Sequence, residues 1–211
     1  MRRPEKVLIV SRTKMGSNRR CIGGITQTGV PVRLLSQDGE YYNSTAPFKV
    51  GEVWRLTYSQ PPREQLTAPH IENVHVHNFD FIQQLQKTQT AQVINDKCKD
   101  LIHVGSIRSV HGGLLRRTTK GSLFINRKYG IPDHSTGFWI NQPELRKVYL
   151  NNRKEYFVFN EDNLDYKIPF VGEESSPSVI PQNSLIRISL ARWLPSEFVE
   201  ERCYFQISGI F

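Results

Sequence analysis

Apolar residues in this chain recur in short runs that alternate with polar residues and end at Gly, Pro, Asn or Ser, the pattern of half-buried β-strands. In the first half such runs cover residues 6–11, 20–26, 30–35, 52–58 and 71–77. Thr28-Gly29 supplies a tight turn between the second and third, and Gly51 with Pro61-Pro62 brackets the fourth. One segment breaks the two-residue period. Asp80 with Gln83 three positions on resembles a helix capping box, and Phe79, Ile82, Leu85, Val93 and Ile94 give a partial helical stripe, so a helix is expected over about 80–95.

The second half repeats the style, with strands expected at 101–104, 122–126, 137–141, 147–150, 155–160, 166–171, 185–193 and 204–210. Asn151-Asn152 and Arg153-Lys154 read as a turn, and residues 173–183, rich in Ser and Pro, as a loop. Many short strands with one principal helix predict a mainly β protein built as two small barrels in tandem, over 1–100 and 101–211.

Composition narrows the function. Of 211 residues, 38% are hydrophobic and 23% charged, enough for packed cores. No apolar stretch approaches the roughly 20 residues of a membrane helix, and the four apolar residues after Arg2 and Arg3 are too few for a signal-peptide core. Cys21, Cys98 and Cys203 are far apart, without a C-x-x-C pair, so neither a disulfide framework nor a structural metal is expected, and Cys21 and Cys203 read as buried thiols. The cytoplasm is the expected location.

The formal net charge is +8, and its distribution is uneven. Residues 1–37 hold eight Lys/Arg against one acid, and residues 101–132 hold six against none, whereas the rest of the chain is acidic on balance. Clustered positive charge attracts polyanions. The first cluster, 11–20, contains Arg12, Lys14, Arg19 and Arg20 and reads as a surface loop between two strands, with Arg33 on the next strand extending it. The second runs through Arg116, Arg117, Lys120, Arg127, Lys128 and Tyr129, followed by Phe138 and Trp139. Cations beside aromatic rings are the ingredients of single-strand binding, in which charges track phosphates and rings stack on bases. Only one of two consecutive strand residues faces outward, and Trp139 is the candidate stacking ring.

Catalytic signatures are missing: there is no phosphate-binding glycine loop, no dinucleotide fingerprint and no nucleophile elbow. His75 and His77 lie two apart without a third ligand, and Glu161, Asp162, Asp165 and Lys167 form only a chance-level nuclease pattern. No enzyme, cofactor or metal is expected.

The chain resembles the dual OB-containing domain proteins of bacteria. Ser11-Arg12 with Lys14, then Arg20-Cys21-Ile22-Gly23-Gly24, then Val32-Arg33-Leu34-Leu35-Ser36 carry the resemblance, with Pro69-His70-Ile71-Glu72-Asn73 and the end, Cys203 to Gly209. Leu34 stands where that family has proline, Pro31 where an aromatic is common, and the segment at Met15–Asn18 is longer. The resemblance implies two OB-like barrels and a role in binding nucleic acid or nucleotides, beside bacterial defence genes. Three readings stay open: a non-catalytic module for DNA or RNA, a domain for a nucleotide or other small anion, and a subunit that engages a partner protein.

Overall fold

A computed structural model describes residues 4–150, 154–194 and 200–211. The turn expected at 151–153 and the charges of Arg2 and Arg3 lie outside the described residues. Strands dominate: β1 Glu5–Met15, β2 Arg19–Thr26, β3 Pro31–Leu35, β4 Tyr42–Asn43, β5 Glu52–Ser59, β6 Asn73–Gln84, β7 Ile102–Gly105, β8 Arg116–Arg117, β9 Leu123–Asn126, β10 Thr136–Asn141, β11 Leu145–Leu150, β12 Lys154–Glu161, β13 Leu164–Pro169, β14 Val179–Ile180, β15 Leu185–Leu190 and β16 Arg202–Ile210. The α-helix α1, Lys87–Lys97, follows β6, and short 3-10 turns fill several connections. No helix among the described residues is long and apolar enough to cross a membrane.

The chain divides into two compact units: Met1–Leu101 with Gly172–Glu174 and Phe211, and Ile102–Val171 with Ser175–Ile210. In the first unit β1 pairs with both β2 and β5, β5 with β6, and β3 with both β2 and β6, which closes a five-stranded barrel. The β3–β6 pair is parallel and the others antiparallel, the mixed pairing of an OB-like barrel. Val7, Ile9, Ile22, Leu34, Phe48 and Leu56 fill it. The second unit holds a six-stranded sheet, β7-β10-β15-β16-β9-β8, and a four-stranded sheet, β13-β12-β11-β14. Its core contains Trp139, Phe157, Ile168, Ile186 and Phe205. The molecule is thus mainly β, consistent with two tandem OB-like domains.

The helix departs from expectation. Residues 80–84 belong to β6, hydrogen-bonded to β5, and α1 starts only at Lys87. The capping box is Gln86 with Gln89, the Gln86 N–H donating to Gln89 Oε1 at 2.8 Å. The physical reason is the pair of β-bulges in the β5–β6 ladder, which skip residues of β6 at two points. A bulge breaks strict alternation, and the spacing of Phe79 and Ile82 then imitates a helical face.

Residues 173–183 are likewise more than a loop: the Glu173 N–H donates to the Arg12 carbonyl of β1 at 2.8 Å, and β14 pairs with β11.

Candidate nucleic-acid interface

Most of the first basic cluster is strand, not loop. β1 and β2 form a hairpin in register from Thr13–Cys21 to Met15–Arg19, leaving residues 16–18 as its turn. Gly16 holds φ +65°, the left-handed conformation that glycine adopts without a Cβ clash. The four cations therefore split. Lys14 and Arg19 are exposed at the hairpin tip. Arg12 is turned back onto the fold: its Nε donates to Glu173 Oε2 at 2.5 Å, and its terminal nitrogens donate to the carbonyls of Ala46, Phe48 and Ser44 at 2.7, 2.8 and 2.6 Å. Arg20 is buried, and its Nε meets the other Glu173 oxygen at 2.8 Å. Burial alone would raise the Glu173 carboxyl, but hydrogen bonds and charge from Arg12 and Arg20 outweigh it and hold the group below the usual carboxylate range.

Arg33 is also buried. Its guanidinium donates to Asn73 Oδ1 at 3.2 Å and lies 3.9 Å from Glu72 Oε2. Burial opposes its charge, yet Cys21, Glu72 and Tyr41 more than compensate and push its pKa up. The motif residues around Cys21, Arg33, Glu72 and Asn73 thus converge on one polar cluster inside the first unit. Cys21 is partly accessible, whereas Cys98 and Cys203 are buried.

The second cluster behaves differently. β8 and β9 form a hairpin, and β9 leads into a 3-10 turn holding Arg127, Lys128 and Tyr129. Buried Asn126 caps this turn by accepting the Lys128 N–H at 2.9 Å and donates its amide to Glu200. Gly130 closes the turn at φ +139°, where a Cβ would meet Leu114 Cδ2 at 2.8 Å. The Tyr129 ring is left 54% exposed, with the Arg116 guanidinium 5.6 Å from its centroid and Lys128 Nζ at 5.8 Å. Both separations are within cation–π range.

Two cations of this stretch are matched to carboxylates. Arg127 pairs with Glu201 at 2.8 Å and covers the Trp193 ring at 5.3 Å, and Arg108 pairs with Asp162 at 3.3 Å while donating to the Tyr166 hydroxyl. Arg116, Arg117, Lys120 and Lys128 have no carboxylate partner among the described residues. Arg117 donates to the Asp165 carbonyl at 2.8 Å and lies 5.7 Å from the Tyr166 ring.

Trp139 is not a stacking platform. It is 0% exposed in the core of the second unit, and its indole N–H donates to the Gly105 carbonyl at 2.9 Å. β10 is covered on both faces, so Phe138 is buried as well. The ring that does face solvent, Tyr129, sits in a turn, where no period marks a side chain as outward.

The acidic residues do not assemble a metal centre. Glu161 accepts from Ser106, Asp165 from Asn160, and Asp162 serves Arg108. Among the described residues no group of three His, Cys, Asp or Glu is placed to hold an ion.

No curated protein matches the sequence. Among solved structures the chain aligns with the p204 HINb domain, at 12% identity over 97% of this chain and 96% of that one, with a TM-score of 0.34. A murine DNA-binding protein solved with double-stranded DNA aligns at 8% identity over 99% and 96%, with a TM-score of 0.28. The model of the dual OB-containing domain matches residues 5–210, nearly the whole sequence, and the chain belongs to that family.

Proposed function

We propose that the protein is a non-catalytic module that binds single-stranded nucleic acid through the β8–β9 hairpin and the turn that follows it. The observation that carries the reading is the exposed Tyr129 ring between Arg116 and Lys128, in a stretch without an acidic residue from 101 to 132. An exposed ring offers a base a stacking face, and flanking cations meet the phosphates on either side. Lys14 and Arg19, exposed on the β1–β2 hairpin, give the first unit a basic tip of its own.

Fluorescence anisotropy with labelled single-stranded DNA and RNA at two salt concentrations tests this. Tyr129→Ala is expected to cost about 1–3 kcal/mol of binding, the usual worth of one base–aromatic stack, while Tyr129→Phe retains most of it. Replacing Arg116 and Lys128 by Ala should flatten the slope of log affinity against log salt by about 1.4, or about 0.7 per lost phosphate contact. Unchanged affinity and slope in all three variants would reject the site.

A second reading rests on a different feature. Residues 76–84 of β6 have β5 as their only strand partner among the described residues, and Phe79 and Phe81 on that stretch are 42% and 53% exposed. An open strand edge beside apolar rings suits a protein partner. Stoichiometric co-purification that Phe81→Ser abolishes, with nucleic-acid binding intact, would favour it.

A further inference from the structure

Outside the Tyr129 cluster, the outer face of the β11–β12–β13 sheet holds a pocket of about 530 Å³. Three cationic side chains line it: Lys120, Arg146 and Lys167. Arg146 and Lys167 flank Val158 in one cross-strand row, Arg146 opposite Val158 and Val158 opposite Lys167. Neighbouring strands lie about 4.8 Å apart, so the two cations stand roughly 10 Å from each other at the backbone. Their long side chains can converge on a group seated over Val158 between them.

Lys120 arrives from a different element. The tip of the β8–β9 hairpin runs along the free edge of β13: the Lys167 N–H donates to the Gly121 carbonyl at 2.9 Å, and Ser122 bridges to Lys167. This approach needs a glycine. At Gly121 φ is +85°, and a Cβ there would meet the Asp165 carbonyl oxygen at 2.8 Å. Any other residue would push the tip, and Lys120 with it, away from that edge.

Two carboxylates, Glu144 and Asp165, also line the pocket, and each has a partner within it. Glu144 accepts from Arg146 Nε at 3.0 Å, which leaves the terminal guanidinium nitrogens for a ligand, and Asp165 accepts from the Asn160 amide at 2.9 Å. Lys167 lies 5.6 Å from the Tyr156 ring, and neither it nor Lys120 has a carboxylate partner among the described residues. The pocket therefore presents two ammonium groups and part of a guanidinium fork toward one volume. Glu144 and Asp165 in the same lining leave the pocket positive by one charge, with the three cations drawn together around Val158. Three separate donors suit a terminal phosphomonoester, which presents three free acceptor oxygens where an internal phosphodiester presents two. The volume falls within the range of small-ligand pockets, and the Asn160–Asp165 pair can meet sugar or base hydroxyl and amino groups.

We propose that this pocket binds a nucleoside monophosphate, either free or as the phosphorylated end of a strand, with Lys120, Arg146 and Lys167 on the phosphate. In its strand-end form the proposal rests on the nucleic-acid reading above.

The experiment compares octathymidylates ending in 5′-phosphate, 3′-phosphate or hydroxyl groups, together with thymidine 5′-monophosphate. Binding is read by anisotropy for the strands and by thermal shift and NMR for the mononucleotide. A phosphate end is expected to bind about tenfold or more tighter than hydroxyl ends, the usual scale for charge-assisted hydrogen bonds. Lys167→Met and the more exposed Arg146→Met should each shrink that preference while leaving the hydroxyl-ended strand unaffected. Gly121→Ala, which displaces Lys120, should do the same. Saturable binding of thymidine monophosphate that is lost in Lys167→Met, with no end preference, assigns the pocket to a free nucleotide. If no strand binds but the monophosphate does, and Lys167→Met abolishes it, the pocket stands and the interface reading falls. Equal affinity for all three strand ends and no response to the monophosphate overturn the proposal.

Discussion

Arg12 is a candidate phosphate contact by charge alone, and the structure gives it four protein acceptors instead. Replacing it by Ala removes the donors to three carbonyls of residues 44–48 and one arm of the Glu173 pair. Hydrogen bonds from charged groups contribute about 1.5–3 kcal/mol each. The Ser44 contact is solvent-exposed and the Ala46 and Phe48 contacts only partly buried, so these carbonyls regain water, and the net loss for the first unit is about 3 kcal/mol. Unfolding of the whole chain would mix two units, so hydrogen exchange of β1 and β2 amides, followed by mass spectrometry, is the suitable readout. A loss of about 3 kcal/mol corresponds to exchange faster by about two orders of magnitude. Arg12→Lys keeps one charged donor and should fall between wild type and Arg12→Ala. The double replacement of Lys14 and Arg19 by Ala, at the exposed tip, should change protection by about 0.5 kcal/mol or less. Acceleration of less than about threefold in Arg12→Ala would refute the view that this guanidinium holds residues 44–48 in place.

The same clasp predicts a pH effect. Because the folded-state pKa of Glu173 is lowered, its contribution is present above the unfolded value of about 4.3 and is lost as pH falls through the folded value. The stability gap between wild type and Glu173→Gln should thus be full at pH 7 and close in acid, and a gap independent of pH would exclude the ion pair as its source. Gly29 turns β2 into β3 at φ +86°, and a Cβ there would lie 1.9 Å from the Lys97 carbonyl oxygen at the end of α1. Gly29→Ala should cost more than about 2 kcal/mol, lowering the melting temperature by roughly 8 °C or more, which differential scanning calorimetry would detect. Burial pushes the Cys98 thiol to about 11 and Cys203 to about 12, so a thiol reagent at pH 8 should titrate Cys21 alone, the other two reacting only in denaturant.

The strands were legible where one side is buried and the pattern repeats with period two, as in β5 and β12, and elsewhere because short apolar runs end at turn residues such as Thr28-Gly29. The β6 bulges were not, since an inserted residue shifts the pattern without changing composition. Trp139 was misjudged because a buried strand and an exposed one of the same residues read alike until their covering layers are known. Charge clustering led to both basic stretches but did not separate paired from unpaired cations. Nothing local to Arg12 or Arg20 announces Glu173, more than 150 positions away, and nothing local to Arg146 or Lys167 announces Lys120. Such pairings exist only in the folded topology.

Glu173 also has a consequence for how the chain is made. The barrel strands of the first unit are complete once residue 84 has been synthesised, yet the carboxylate that Arg12 and Arg20 share belongs to residue 173. At typical elongation rates the 72 residues separating Leu101 from Glu173 take roughly 4–15 s to add. During that interval the nascent barrel holds Arg12 and Arg20 without the carboxylate they share. A gene cut after residue 101 would hold the protein permanently in that state. The first unit is therefore a domain in space but not a contiguous stretch of message, and a division of the protein for separate expression should carry the 172–174 segment with the N-terminal part.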